Sequence, residues 1–283
     1  KLNEKGEAYD RFSICLDEMD VLLKNNGISR ALNGSDLKAA HKKHQPVVIQ
    51  AVEGGHFIED KLERLEMAYN RGLRHLGLLH DNPSLVPLGD IYTEPVRYNG
   101  LTESGMNVIK ECNRLGILVD LAHCSDQAIN DGIKVSGKPI IISHTGLNTR
   151  PGGNEKMAKM MMPRLISKEQ AKIVADAGGV IGVWTHLADS PQEYAENIRA
   201  MADVTGIDHV CIGTDTKIAP ASNDQFGTRT NQSWEHVSKG FFYTVVKALL
   251  DARFTEDDIV KIGGGNYCRI FDTGTAAGIS VRK

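Results

Sequence analysis

Residues 102–123 read TESGMNVIKECNRLGILVDLAH, and the two halves of this stretch follow different periods. Behind a helix-start signal at Thr102, Met106, Ile109 and Cys112 recur at the spacing of one helix face, up to Leu115. From Ile117 to His123 the chain is almost continuously apolar and ends on a histidine. Strands buried on both faces of a parallel sheet read this way. A helix feeding such a strand is part of a βαβ unit.

The same alternation extends in both directions. Apolar runs lie at Pro46–Glu53, Leu73–His80, Ile117–His123, Pro139–His144, Val180–His186 and His209–Asp215. Helical patterns lie between and after them at Ile58–Asn70, Thr102–Leu115, Ser125–Val135, Ser167–Ala177, Gln192–Thr205 and Ser233–Ala252. Ser167 with Gln170 forms a capping-box pattern. Ahead of the first run, Glu7–Asn25 and Ser35–Lys43 read as two helices. No Gly-x-Gly-x-x-Gly follows a strand, so a dinucleotide-binding sheet lacks its fingerprint. The fold expected is α/β, a (β/α)8 TIM-type barrel, with residues 1–283 forming a single domain.

Composition narrows the function. The 283 residues carry 33 Lys+Arg against 36 Asp+Glu, a net charge of −3, so no basic surplus exists for nucleic acid. No apolar run approaches the ~20 residues of a membrane-spanning helix. Five widely spaced cysteines (Cys15, Cys112, Cys124, Cys211 and Cys268) argue against a disulfide framework and against a CxxC zinc module.

The ends of the apolar runs carry the chemistry. They are Glu53, His80, His123, His144, His186 and Asp215, where buried strands otherwise favour apolar residues. A barrel gathers the C-terminal ends of its strands at one mouth, where catalytic groups lie. Imidazole nitrogens and carboxylate oxygens suit Zn²⁺ and related divalent ions. Glu53 can offer one oxygen to each of two metals, and Asp215 is a candidate general acid/base. The other histidines have structural readings. His56 supports the Gly54–Gly55 turn, His75 lies mid-strand, His41 and His44 sit on a solvated helix face, and His209 starts a strand. Cys124 reads as a small buried residue.

These pieces resemble the membrane (renal-type) dipeptidases, zinc enzymes of the metal-dependent hydrolase barrels. The matching stretches are 52–56 (VEGGH), 72–74 (GLR), 78–80 (LLH), 100–102 (GLT), 113–123 (NRLGILVDLAH) and 142–144 (ISH). They continue in order with 163–167 (PRLIS), 178–183 (GGVIGV), 206–210 (GIDHV), 213–215 (GTD) and 264–266 (GGN). The resemblance implies an enzyme that hydrolyses dipeptides through a hydroxide bridging two divalent metal ions, zinc by preference. It assigns Glu53, His123 and His144 to the metal and His80 to the substrate and its oxyanion. It assigns Arg164 to the substrate's terminal carboxylate, with Arg150 as a nearby competitor, and Asp215 to proton transfer. A small dipeptide-like substrate is the partner implied, and a homodimer is common in the family.

Two departures shape the expectation. The family's first strand ends in His-x-Asp, and this chain contains no His-x-Asp. We therefore expect the first one or two barrel strands, with those ligands, to lie outside the sequence in hand. The family's Gly-Ser-Asp-Phe-Asp-Gly reads here as GTDTKI at 213–218, with Lys217 in place of the second Asp. Two alternatives follow: a catalytically silent barrel that binds a small ligand, and a tailoring hydrolase acting on a modified peptide.

Overall fold

The structure is a computed structural model and describes residues 4–216, 234 and 239–276. It divides into two compact units, Lys1–Ile141 with Cys268–Lys283, and Ile142–Tyr267. Lys217 lies outside the described residues.

The first unit opens with α1 (Glu7–Asn26), β1 (Ser29–Arg30), α2 (Gly34–Lys42) and β2 (Val47–Val48). Then come β3 (Gln50–Glu53), α3 (Glu63–Asn70), β4 (Leu73–Gly77), α4 (Glu103–Leu115), β5 (Leu118–Asp120) and α5 (Asp126–Val135). β3, β4 and β5 pair in parallel and in sequence order. All of β4 and β5 is buried, as their unbroken apolar reading requires. α4 and α5 start where the sequence placed them, whereas α3 begins at Glu63, five residues after the expected Ile58. Thr102 Oγ1 accepts the Gly105 N–H at 3.1 Å, and Ser125 Oγ accepts the Ala128 N–H at 3.2 Å.

β6 (Ile141–Thr145) pairs through Ile141 with Asp120 of β5 and continues into the second unit. There follow α6 (Glu155–Met161), α7 (Lys168–Asp176), β7 (Val180–Trp184), α8 (Pro191–Thr205) and β8 (Val210–Gly213). After them come α9 (Phe241–Asp251), α10 (Glu256–Val260) and α11 (Asn266–Thr275), which ends in the first unit's sequence. β7 and β8 pair in parallel. Ser167 Oγ caps α7 by accepting the Gln170 N–H at 3.0 Å.

The α/β reading with six parallel strands and intervening helices holds, with revised limits. β4, β5, β7 and β8 stop short of their apolar runs, so His80 and His123 each lie three residues past the end of their strand. The first run splits into β2 and β3, and β2 pairs with β1, a strand the sequence reading did not contain. α6, α10 and α11 were also absent from that reading. The last expected helix, from Ser233, is described from Phe241, and Ser233 itself lies outside the described residues.

Candidate metal centre

In the first unit, Glu53 ends β3 and is followed by Gly54 at φ +90°, a left-handed turn that glycine makes without strain. Pairing continues past the turn, with Gly54 and Gly55 N–H donating to the carbonyls of Gly77 and Leu78 at 2.9 and 3.0 Å. β5 ends in a second turn. The Asp120 carboxylate accepts the Ala122 N–H at 2.9 Å and takes His75 Nε2 at 3.2 Å. His123 follows at φ +68°, an uncommon conformation for a residue with a side chain.

These turns bring Glu53, His80 and His123 together, with one ligand atom from each within 4.8 Å of the others. His123 Nε2 is 2.8 Å from Glu53 Oε1, and His80 Nε2 is 3.7 Å from Glu53 Oε2. The two imidazole rings lie 4.6 Å apart, centre to centre. One carboxylate thus faces two histidines, one with each oxygen. The other edge of His123 is also occupied: Nδ1 lies 2.8 Å from Asp81 Oδ1 and 2.7 Å from Tyr92 Oη.

The electrostatics separate the two rings. Burial lowers the pKa of His80, and the nearby Glu53 charge only partly offsets it, so this ring is neutral near pH 7. Burial also acts to lower His123. There the hydrogen bonds to Asp81 and Glu53, with their charges, prevail and raise it to about 9. The Nε2–H of the His123 imidazolium donates to Glu53 Oε1 at 2.8 Å. The donor set, one carboxylate and two imidazoles, fits a divalent ion such as zinc.

A pH dependence follows. The pKa of about 9 exceeds the unfolded histidine's 6.5. In the metal-free protein, His123 therefore contributes stability that is complete below pH 6.5 and is lost as pH rises through about 9. Metal uptake needs the neutral ring, so its affinity should strengthen over that window and level off above it. Zinc titrations of the chelator-stripped protein between about pH 6 and 10 check this. A flat affinity profile would contradict it.

In the second unit, His144 is buried in β6, with Nδ1 2.9 Å from Ser143 Oγ and its ring 5.1 Å from that of Trp184. Asp215 lies exposed two residues past β8, at φ +48°. A ring nitrogen of His144 and a carboxylate oxygen of Asp215 lie within 4.8 Å. Arg164 lies in the short helical turn after α6, and its carbonyl accepts the Thr145 hydroxyl at 2.8 Å. That bond ties Arg164 to the end of the strand that carries His144. Its guanidinium donates to Met160 O at 2.9 Å. Arg150 is committed elsewhere, to Asn197 at 2.5 Å and Glu196 at 2.9 Å on α8. His186 sits in a helical turn, its ring 5.1 Å from Trp184.

The residues read as structural are placed accordingly. His41 is exposed on α2, whereas His44, also exposed, lies past the helix end at φ +53°; His209 Nδ1 donates to Gly179 O at 2.8 Å just ahead of β8. Cys124 is buried, and burial pushes its thiol pKa well up, against a nucleophilic role. The sequence reading missed Asp81 and Tyr92. Asp81 had a signal, a carboxylate directly after His80, whereas Tyr92 lies in a long loop with no periodicity.

No helix among the described residues is long and apolar enough to cross a membrane. Comparison with known proteins places the chain. It is 28% identical over 273 residues to an uncharacterized dipeptidase of Schizosaccharomyces pombe. That match covers 90% of this chain and 61% of the relative, so the chain spans about three fifths of the relative's length. Its fold matches the probable dipeptidase PvdM from Pseudomonas aeruginosa at a TM-score of 0.81 and 16% identity, over 98% of this chain and 83% of the other. A metallo peptidase from Rhodobacter sphaeroides, liganded with a phosphinate mimic of the dipeptide L-Ala-D-Ala, matches at a TM-score of 0.69 and 18% identity. That match covers 87% of this chain and 69% of the other. The sequence model of the membrane dipeptidases, peptidase family M19, matches residues 6–280, and the chain belongs to that family.

Proposed function

We propose that this chain carries a metal-dependent dipeptidase centre. Glu53, His123 and His144 hold two divalent ions, zinc by preference; His80 and Arg164 hold the substrate; and Asp215 moves the proton. The observation that carries the reading is the Glu53 carboxylate facing His80 with one oxygen and His123 with the other. Family membership and the matching order of motifs support the remaining assignments.

When bound, the ions supply a nucleophilic water and polarise the peptide carbonyl. The protein's own groups do the rest. His80, kept neutral by burial, offers an N–H to the oxygen that gains charge as the carbonyl becomes tetrahedral. The Arg164 guanidinium can grip both oxygens of a terminal carboxylate, which selects short substrates with a free C-terminus. Asp215 takes the proton from the attacking water and gives it to the leaving amine.

The test is metal content by elemental analysis, run together with hydrolysis of a dipeptide panel that starts with L-Ala-D-Ala. About two zinc equivalents with chelator-sensitive cleavage is the expected result. A protein that binds no zinc and cleaves no dipeptide after zinc addition would overturn the reading.

A further inference from the structure

We propose that Asp81 and Tyr92 are positioning residues that lock the His123 ring and present its Nε2 to a metal ion. This rests on the reading of His123 as a ligand. An imidazole has two nitrogens and can present either one. A ligating histidine is usually fixed by a partner on its other nitrogen, which sets both tautomer and orientation. Here the Nδ1 edge meets two partners, Asp81 Oδ1 at 2.8 Å and Tyr92 Oη at 2.7 Å. With Nδ1–H held by the Asp81 carboxylate, the nitrogen left to a metal ion is Nε2, the one on the Glu53 side of the ring. The Tyr92 ring stacks on the imidazole at 5.2 Å and 27°, which restricts rotation of the ring.

The segment that carries Tyr92 belongs to no strand or helix, yet it is fastened at several points. Gly89 bridges to Leu101, and Ile91 bridges to Cys124. Tyr92 N–H donates to the carbonyl of His123 itself at 3.1 Å, and Ser125 N–H donates to Asp90 O at 2.9 Å. The buried Asp90 carboxylate accepts the N–H groups of Arg97, Tyr98 and Gly100 at 2.8, 3.0 and 2.9 Å, closing the loop on itself. The loop is thus built to hold a phenol hydroxyl against one edge of one histidine.

The test is zinc affinity by calorimetric titration of the chelator-stripped protein, for wild type and for Asp81→Ala, Asp81→Asn and Tyr92→Phe. Loss of an outer partner of a ligand costs about 10–100-fold in metal affinity, and that loss is expected for Asp81→Ala. Asp81→Asn keeps an acceptor oxygen and should recover most of that loss. Tyr92→Phe keeps the stacked ring and should lose several-fold. A merely structural role would not produce the recovery by Asn. If wild type binds zinc and both Asp81→Ala and Tyr92→Phe bind it equally well, the positioning proposal falls and the ligand reading stands. If wild type binds no zinc, the ligand reading itself falls, and the proposal falls with it.

Discussion

Glu53→Gln is expected to strip the protein of metal and to lower kcat/KM for dipeptide hydrolysis by on the order of 10³-fold or more. Glutamine keeps the size and shape of glutamate, so the comparison isolates charge and oxygen count. One of its two terminal atoms becomes an NH₂, which donates and cannot ligate. The two histidines that now share one carboxylate would then face at most one ligand oxygen between them. Loss of an outer partner costs about 10–100-fold, and loss of a shared ligand should exceed that. The fold should survive, because the Glu53 side chain is 43% exposed and the backbone pairing beyond it does not involve the carboxylate. Metal content, kcat/KM and the metal-free thermal midpoint together test the expectation. Full metal content with activity within tenfold of wild type would remove Glu53 from the centre.

Gly182→Ala is expected to cost about 3 kcal/mol or more in stability, far beyond the usual effect of adding one methyl group. Gly182 lies in the middle of β7, paired with Cys211 of β8. A Cβ built there would sit 1.9 Å from the Ser143 carbonyl oxygen on β6 and 3.2 Å from the Gly213 Cα on β8. Both obstacles are backbone, so no side chain can swing aside and the strands themselves must move. At about 2–4 °C per kcal/mol for a domain of this size, the thermal midpoint should fall by roughly 6–12 °C. The displaced oxygen belongs to the residue before His144, so metal content should fall too. Gly153→Ala is the control, since nothing lies within 4 Å of its Cβ position, and its effect should stay within about 0.5 kcal/mol. Equal midpoints for the two variants would show that this close approach of strands carries no energetic weight.

Much of this architecture was legible in the chain because local rules and tertiary demands agree. Thr102, Ser125 and Ser167 announce helices and cap them, because a side-chain oxygen two or three residues ahead of an unpaired N–H needs no distant partner. The apolar runs announce strands, because burial on both faces leaves little room for polar residues. The limits of those strands were less legible. His80 and His123 continue an apolar run in sequence but lie past the last paired residue, since pairing depends on a neighbouring strand. The β1–β2 pair has two residues on each side, too few to show any period.

The sequence by itself determined the α/β alternation, the capped helix starts at Thr102, Ser125 and Ser167, and the residue types closing the apolar runs, and through them the membership of the dipeptidase family. Each of these follows from periodicity, capping or motif order, which are properties of neighbouring residues. Only the tertiary structure decided that Glu53 divides its oxygens between His80 and His123. Only it showed that Asp81 and Tyr92 converge on the far nitrogen of His123, and that the hydrogen bonds to Asp81 and Glu53 raise its pKa to about 9. Residues 53, 80, 92 and 123 are dozens of positions apart in places, and the parallel pairing of β3, β4 and β5 brings their ends together. A hydrogen bond and a pKa depend on separations of a few ångströms between such residues, and no local pattern in the chain encodes those separations.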